Sequence, residues 1–495
     1  MEKRFVSTRG QQQPVSVKTA VKQGLADDHG LFVDPKLGQK KVNLSKLLLL
    51  DYQDLAKEIL QLLLPDFTTA ELVLAIKNAY NQKFDTAKIT PLQSINDWHI
   101  LELWHGSTSA FKDIGLQLLP HLMKFSLGDN EHSLVLTATS GDTGKAALEG
   151  FKNTDNVGIA VFYPNGGVST IQEKQMLTTA GTNTSVAAIT GNFDDAQRQV
   201  KAIFSNTSFK ERLASNLHLS SANSINIGRL APQVVYYFSA YQQLVAQGHI
   251  TLGDPVNFTV PTGNFGDVLA GYYAKSLGLP IKKLIVAANA NNVLTDFFET
   301  GIYDRQRPFL HTVAPSMDIQ VSSNLERLLY YKSGLDSTYI NQLMTQLETK
   351  GRYQISDELL HSLQNDFYCG FSNDKDIRTA IKNVYEEQGY LMDPHTAAGY
   401  HVMRKYQQQD QTLMVLLSTA SPYKFIETTA PAVLPDTEGI TDSFELVQRL
   451  AEYTNIPIPQ NIAQLHDLPI RHKNIVSSEK MQAYVKQQAE VIFNV

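Results

Sequence analysis

Apolar positions along the chain recur in two rhythms, and the rhythm changes near residue 98. Up to about Lys88 the spacing is helical. Leu47 to Leu50 form an apolar run, and Leu55, Ile59, Leu62 and Leu63 continue it at three- and four-residue intervals. Pro65 ends that helix. Thr68-Thr69-Ala70-Glu71 predicts the start of the next, with Thr68 as cap and Glu71 in the position that closes a capping box. From Trp98 onward, short β-branched runs alternate with helical stretches. The runs Leu134–Ala138, Val157–Phe162, Val186–Thr190, Val256–Val260 and Leu413–Leu417 each predict a strand, and each leads into a polar loop. Those loops are Thr139 to Gly144, Pro164 to Gly167, Gly191 to Asp195, Thr262 to Gly266 and Ser418 to Pro422. Helical spacing follows the first four. Repetition of strand, loop and helix predicts an α/β fold of mostly parallel sheets flanked by helices. Residues 317–409 return to a mainly helical rhythm, and the tail beyond Ser443 mixes helix with Pro-containing loops.

These rhythms divide the chain into a mainly helical lobe over 1–95, an α/β core over 96–315, a mainly helical insertion over 316–410, and a last core strand with the C-terminal segment over 411–495. The 495 residues exceed one ordinary domain, and a hydrophobic share of 43% supplies a sizeable core. Lys plus Arg is 43 against 49 Asp plus Glu. A net charge of -6 gives no electrostatic reason to follow nucleic acid or an anionic membrane. No apolar run approaches the ~20 residues of a membrane helix, and no apolar signal core follows Met1-Glu2-Lys3-Arg4, so the expected location is cytoplasmic. The single Cys369 excludes an internal disulfide and a cysteine metal cluster, and no metal is expected.

Ligands of open parallel sheets bind at the carboxyl ends of the strands, so the loops are the first place to look. Ile100 to Leu103 leads into Trp104-His105-Gly106-Ser107-Thr108-Ser109-Ala110-Phe111-Lys112-Asp113, which opens a helix. A lysine in the first helical turn opposes the helix dipole. Its amine is disfavoured as a cation there and becomes a candidate nucleophile, whereas an arbitrary lysine is far more often a solvated surface group. Thr262-Gly263-Asn264-Phe265-Gly266-Asp267 offers converging N–H groups at a helix start, a cup suited to phosphate or simply a tight turn. It has neither the lysine of a P-loop nor a dinucleotide fingerprint. Ser140-Gly141-Asp142-Thr143 offers hydroxyls and N–H groups at another helix start, where Ser140 or Asp142 would also serve as N-cap. The Thr419 hydroxyl follows a buried strand, where it could meet a ring nitrogen or merely form a turn.

Taken in order, these segments resemble the threonine synthase family, pyridoxal-phosphate enzymes of the tryptophan synthase β-like, fold-type II group. The resemblance begins with Ser7-Thr8-Arg9-Gly10 and includes Asp393-Pro394-His395-Thr396-Ala397. It implies the cofactor pyridoxal 5'-phosphate, with Lys112 as the Schiff-base lysine. Gly263, Asn264, Phe265, Gly266 and Asp267 would cup the cofactor phosphate, and Thr419 would face the pyridine nitrogen. Substrate contacts would come from Ser107, Thr108, Ser140, Gly141, Asp142, Thr143, Ser323, Asn324 and Arg327. For Arg327, a salt bridge on a helix surface is an equal alternative. The implied reaction turns O-phospho-L-homoserine and water into L-threonine and phosphate, in a monomer or homodimer. A phospholyase or a serine/threonine dehydratase on the same scaffold is the nearest alternative, and a catalytically silent binding protein is a third. The chain departs from the family where Ser107 and Ser109 replace proline and leucine, where Asp267 replaces a frequent asparagine, and where Asn165 replaces a frequent lysine.

Overall fold

The computed structural model describes residues 4–191 and 193–494, without the side chains of 193 and 194. Residues 1–3 and Asn192, the second residue of the loop predicted after Thr190, lie outside the described residues. Two sheets carry the fold. The larger has six strands in the order Phe367–Phe371, Ile281–Ala288, Val256–Pro261, Met414–Ser418, Trp98–Glu102 and Leu92–Ile95. Every neighbouring pair is parallel except the last, an antiparallel hairpin at the edge. The smaller has five parallel strands in the order Asn474–Ser477, Thr184–Thr190, Val157–Pro164, His132–Ala138 and Leu217–Ser221. Val157–Pro164 is buried at every position. Such unbroken apolar runs mark strands covered by helices on both faces.

Each strand run read from the sequence is present; four are extended by one or two residues, and Leu413–Leu417 is shifted by one to Met414–Ser418. Six strands of the two sheets escaped that reading, two of them the edge hairpin of Leu92–Ile95 and Trp98–Glu102. Leu217–Ser221 reads Leu-His-Leu-Ser-Ser, and three of its five residues are polar. Ile281–Ala288 carries two lysines directly after its first residue. Asn474–Ser477 is an edge strand with half-exposed or exposed residues throughout. Phe367–Phe371 lies inside the stretch read as mainly helical, yet it closes one edge of the larger sheet by pairing with Ile281–Ala288. A strand this short, caught between helices, has too few alternations to register against the helical pattern around it.

The helical reading of the N-terminal region holds for Tyr52–Leu63 and Thr69–Ala79. The capping box is formed: the Thr68 hydroxyl accepts from the Glu71 N–H, and the Glu71 carboxylate accepts from the Thr68 N–H at 2.8 Å. Before these helices, Val6–Ser7 pairs antiparallel with Phe32–Val33. Arg9 ties this segment to the rest of the fold through Glu326 at 3.2 Å and Glu348 at 3.0 Å.

Candidate active site

The carboxyl ends of both sheets open on one cavity of about 1050 Å³. Lys112, Ser140, Asp142, Thr143, Gly263, Asn264, Gly266, Asp267, Ser323 and Thr419 all line it. Residues drawn from five separate loops thus converge.

Lys112 is the first residue of the helix Lys112–Lys124. Its loop is zipped to the Thr419 loop. The Phe111 N–H donates to the Thr419 carbonyl at 2.8 Å, the Ser421 N–H donates to the Ser109 carbonyl at 3.0 Å, and the Leu103 N–H donates to the Ser418 carbonyl at 3.0 Å. The Lys112 amine lies 3.2 Å from Asp142 Oδ2 and over the Phe111 ring. Burial pushes this amine below the usual lysine range; Asp142 opposes the shift, while Lys424 and Arg229 add to it.

Asp142 is held from four sides. Its Oδ2 accepts from Lys112 and from the Ser316 hydroxyl at 3.3 Å, and its Oδ1 accepts from Lys424 at 2.9 Å and Gln172 at 2.8 Å. Burial works against its charge, but Lys424 and then Lys112 outweigh it and hold the carboxyl well below the usual carboxylate range. Asp142 is the first residue of its helix, and Gly141 is the N-cap, with φ 133°. This corrects the expectation that Ser140 or Asp142 would cap. A side chain at 141 is excluded by that φ and by Gln172, whose amide a Cβ would meet at 2.4 Å. The capping side chain comes instead from Thr139, which accepts from the N–H groups of Gly141 and Gly144.

Across the cavity, Val256–Pro261 leads through Gly263 and Asn264 into the helix Gly266–Ser276. No described acceptor takes the N–H groups of Asn264, Phe265 or Gly266. Unpaired donors at the start of an eleven-residue helix make a cup for a phosphate. Phe265 contributes backbone only: its φ is 63°, and its buried ring packs against Phe298 and Phe367. Gly263 is needed for close approach, since a Cβ there would lie 2.8 Å from the Ser316 carbonyl. The loop is braced by the Ser322 hydroxyl on the Gly263 carbonyl at 2.8 Å and the Asn324 amide on the Asn264 carbonyl at 3.0 Å. The Asp267 carboxyl turns onto the Val268 N–H at 2.9 Å, and burial pushes it up to about 6. A phosphate cup, a buried amine and the Thr419 hydroxyl on one cavity wall are the donor set that pyridoxal phosphate needs, so the residues present fit that cofactor.

Several expected substrate residues stand behind the cavity. Thr108 donates to Asp113 through its N–H and hydroxyl, and Ser107 sits half-buried in the same turn. Asn324 and Arg327 do not line the cavity. Arg327 is fully buried and donates to the carbonyls of Phe32 and Ile225 and to Asn324 Oδ1. It is therefore neither a surface ion pair nor free for a phosphate; it clamps Asn324, which braces the cup. Sequence reasoning missed Asn223, Ser224 and Arg229, which line the cavity beyond Leu217–Ser221. The signal was another strand, loop and helix, hidden because the strand is polar. Arg229 is buried, donates to the Ala222 carbonyl at 2.8 Å and faces Asp267; burial lowers it to about 10. His395 was also missed as a site residue. It accepts from the Ser316 N–H at 3.0 Å on Nε2 and faces Asp393 at 2.8 Å on Nδ1, so its proton is on Nδ1.

Comparison with known proteins covers nearly the whole chain. The family described as "Threonine synthase N terminus" matches residues 4–80, "Pyridoxal-phosphate dependent enzyme" matches 90–418, and "Threonine synthase, C-terminal" matches 396–485. The chain is 40% identical over 456 residues to threonine synthase-like 1 of Homo sapiens, across 87% of this chain but 60% of that protein's length. It is 36% identical to threonine synthase of Pseudomonas aeruginosa, across 95% of this chain and 99% of that one. The crystal structure of PLP-bound threonine synthase from Brucella melitensis superposes with a TM-score of 0.86 at 35% identity, covering 98% of this chain and 99% of that one.

Proposed function

This chain belongs to the threonine synthase family of pyridoxal-phosphate enzymes, and from that premise we propose that it converts O-phospho-L-homoserine and water to L-threonine and phosphate. The observation that carries the proposal is the buried Lys112 amine, which shares one cavity with Asn264 and Gly266 of the phosphate cup and with Arg229.

When bound, the cofactor supplies an electron sink for charge that develops beside the substrate's amino group. Lys112 holds the cofactor at rest and, once displaced by the substrate amine, takes the proton from substrate Cα and then from Cβ. Burial lowers the basicity of this amine, which favours the neutral form that accepts them. The N–H groups of Asn264, Phe265 and Gly266 hold the cofactor's phosphate. Arg229, with Asn223 and Ser224 beside it, receives the substrate's phosphate and stabilises it as it leaves. Ser140 and Thr143, at the start of the helix Asp142–Phe151, receive the substrate carboxylate. The Thr419 hydroxyl faces the ring nitrogen without bringing a charge. His395 and Ser316 keep the segment 315–317 against the cavity and away from bulk water. After the phosphate leaves, Lys112 returns a proton to Cγ, which becomes the methyl group; water then adds at Cβ, and a second proton goes back to Cα.

A cytoplasmic monomer or homodimer is part of this reading. No described helix is long and apolar enough to cross a membrane. The test is product analysis with O-phosphohomoserine. Equal yields of phosphate and threonine are expected. Phosphate with a 2-oxo acid and no threonine would make the protein a phospholyase and overturn the proposal.

A further inference from the structure

The proposed chemistry gives no work to Lys424, a fully buried lysine beside the site. It does not line the cavity, and its side chain is 0% exposed. Its Nζ reaches Asp142 Oδ1 at 2.9 Å and the Thr108 carbonyl at 2.8 Å. The other oxygen of Asp142 faces Lys112 at 3.2 Å. One carboxylate therefore bridges two lysine nitrogens, of which only that of Lys112 belongs to a residue lining the cavity.

We propose that Lys424 is a positioning residue that neutralises Asp142, so that Asp142 orients the Lys112 amine by a hydrogen bond without locking it as an ammonium ion. A lone buried carboxylate beside a lysine favours the charged amine by Coulomb attraction. A lysine locked in that way neither attacks an aldehyde nor accepts a proton. With Lys424 on the far oxygen, the Asp142–Lys424 pair is neutral as a whole. Lys112 then sees an acceptor of fixed direction and a much weaker field. The geometry fixes that direction well, because Gln172 at 2.8 Å and Ser316 at 3.3 Å occupy the rest of the carboxylate. The charged groups facing Lys112 are Asp142, Lys424, Arg229 and Asp267. Those facing Lys424 are Asp142, Lys112, Asp113 and Lys145. Asp113 is turned to Thr108, whose N–H and hydroxyl donate at 2.8 and 2.7 Å, and Lys145 is paired with Glu149 at 3.0 Å. Neither replaces Lys424 at Asp142. This inference rests on Lys112 being the lysine that binds the cofactor.

The test uses the full chain freed of cofactor and follows uptake of pyridoxal phosphate against pH. In this reaction the neutral amine attacks the aldehyde carbon, a C–N bond forms and water leaves. The pH midpoint of uptake therefore reports the charge of the amine, separately from turnover. Lys424→Met leaves Asp142 to Lys112 alone, and the midpoint rises by about one pH unit, a roughly tenfold slower uptake below it. Lys424→Arg keeps the charge and restores the midpoint. Asp142→Asn removes the anion but leaves Lys424, so the midpoint falls. If the methionine variant does not fold, Asp142→Asn still decides, because a midpoint that stays or rises overturns the proposal. An unchanged midpoint in folded Lys424→Met, with uptake abolished in Lys112→Ala, overturns the role of Lys424 alone. Uptake that persists in Lys112→Ala overturns both readings, since another amine is then being titrated.

Discussion

The two sheets meet at one cavity but equip it by different means. The larger sheet supplies the loop of Gly263 to Asp267, where anion affinity comes from backbone N–H groups at a helix start and the one large side chain, Phe265, points into the core. The smaller sheet supplies Asp142 and Arg229, where the work is done by charged side chains held against Lys112, Lys424 and Asp267. Backbone donors do not titrate and are fixed by two or three glycine positions. Side-chain charges titrate, depend on partners far apart in sequence, and can be tuned by one substitution. The N–H donors of the larger sheet's loop are thus insensitive to pH, although Asp267 beside them is pushed up to about 6, while the charged side chains of the smaller sheet's wall respond to it through their partners.

The comparison breaks most visibly at Lys112. Lys112→Ala removes the only cavity amine that touches Asp142 among the described residues, and phosphate release from O-phosphohomoserine should fall by roughly 10³–10⁴-fold. Next is Arg229. Arg229→Leu should lower kcat/KM for the phosphorylated substrate by about 10²–10³-fold while leaving pyridoxal phosphate bound, which steady-state kinetics and absorbance separate. On the other wall, Gly263→Ala brings a Cβ to 2.8 Å from the Ser316 carbonyl. Overpacking of this kind costs about 1–3 kcal/mol, so equilibrium dialysis should show cofactor affinity weakened about tenfold or more, by the same factor at pH 6 and pH 8.

The smallest effect concerns the loop that carries Lys112. His105 stacks on Trp104 and faces Asp85 at 2.5 Å and Glu102 at 3.1 Å. Burial lowers its basicity, but the two carboxylates outweigh burial and raise it to about 9. A histidine raised in the folded state stabilises it fully below the unfolded value near 6.5 and ceases to do so above 9. Thermal unfolding of His105→Gln against the parent should therefore show a difference below pH 6.5 that shrinks as pH rises toward 9.

The same contrast explains what could be read from the sequence. The phosphate cup was legible because a Gly-Asn-Phe-Gly turn between an apolar run and a helix is a local feature. Lys112 stood out as a lysine at a helix start, but that feature alone suits a solvated surface lysine better, and it was the run of surrounding motifs that singled it out. The charged wall was only half visible. Asp142 stood in a recognisable loop, but its partners Gln172, Ser316 and Lys424 lie 30, 174 and 282 residues away, and no local pattern joins them. Arg229 was hidden by the polarity of the strand before it. Arg327 was misread because a helix position alone does not tell a surface arginine from one buried among carbonyl groups. The fold followed the same rule. Strands with unbroken apolar runs were found, and the polar or edge strands Leu217–Ser221 and Asn474–Ser477 were not.

The central claim is that the chemistry turns on the buried amine of Lys112. Borohydride reduction of the holoenzyme fixes the cofactor to its lysine, and peptide mass mapping then identifies that lysine. The account predicts a single labelled peptide carrying the cofactor on Lys112. A label on Lys145, Lys424 or any other lysine would contradict it.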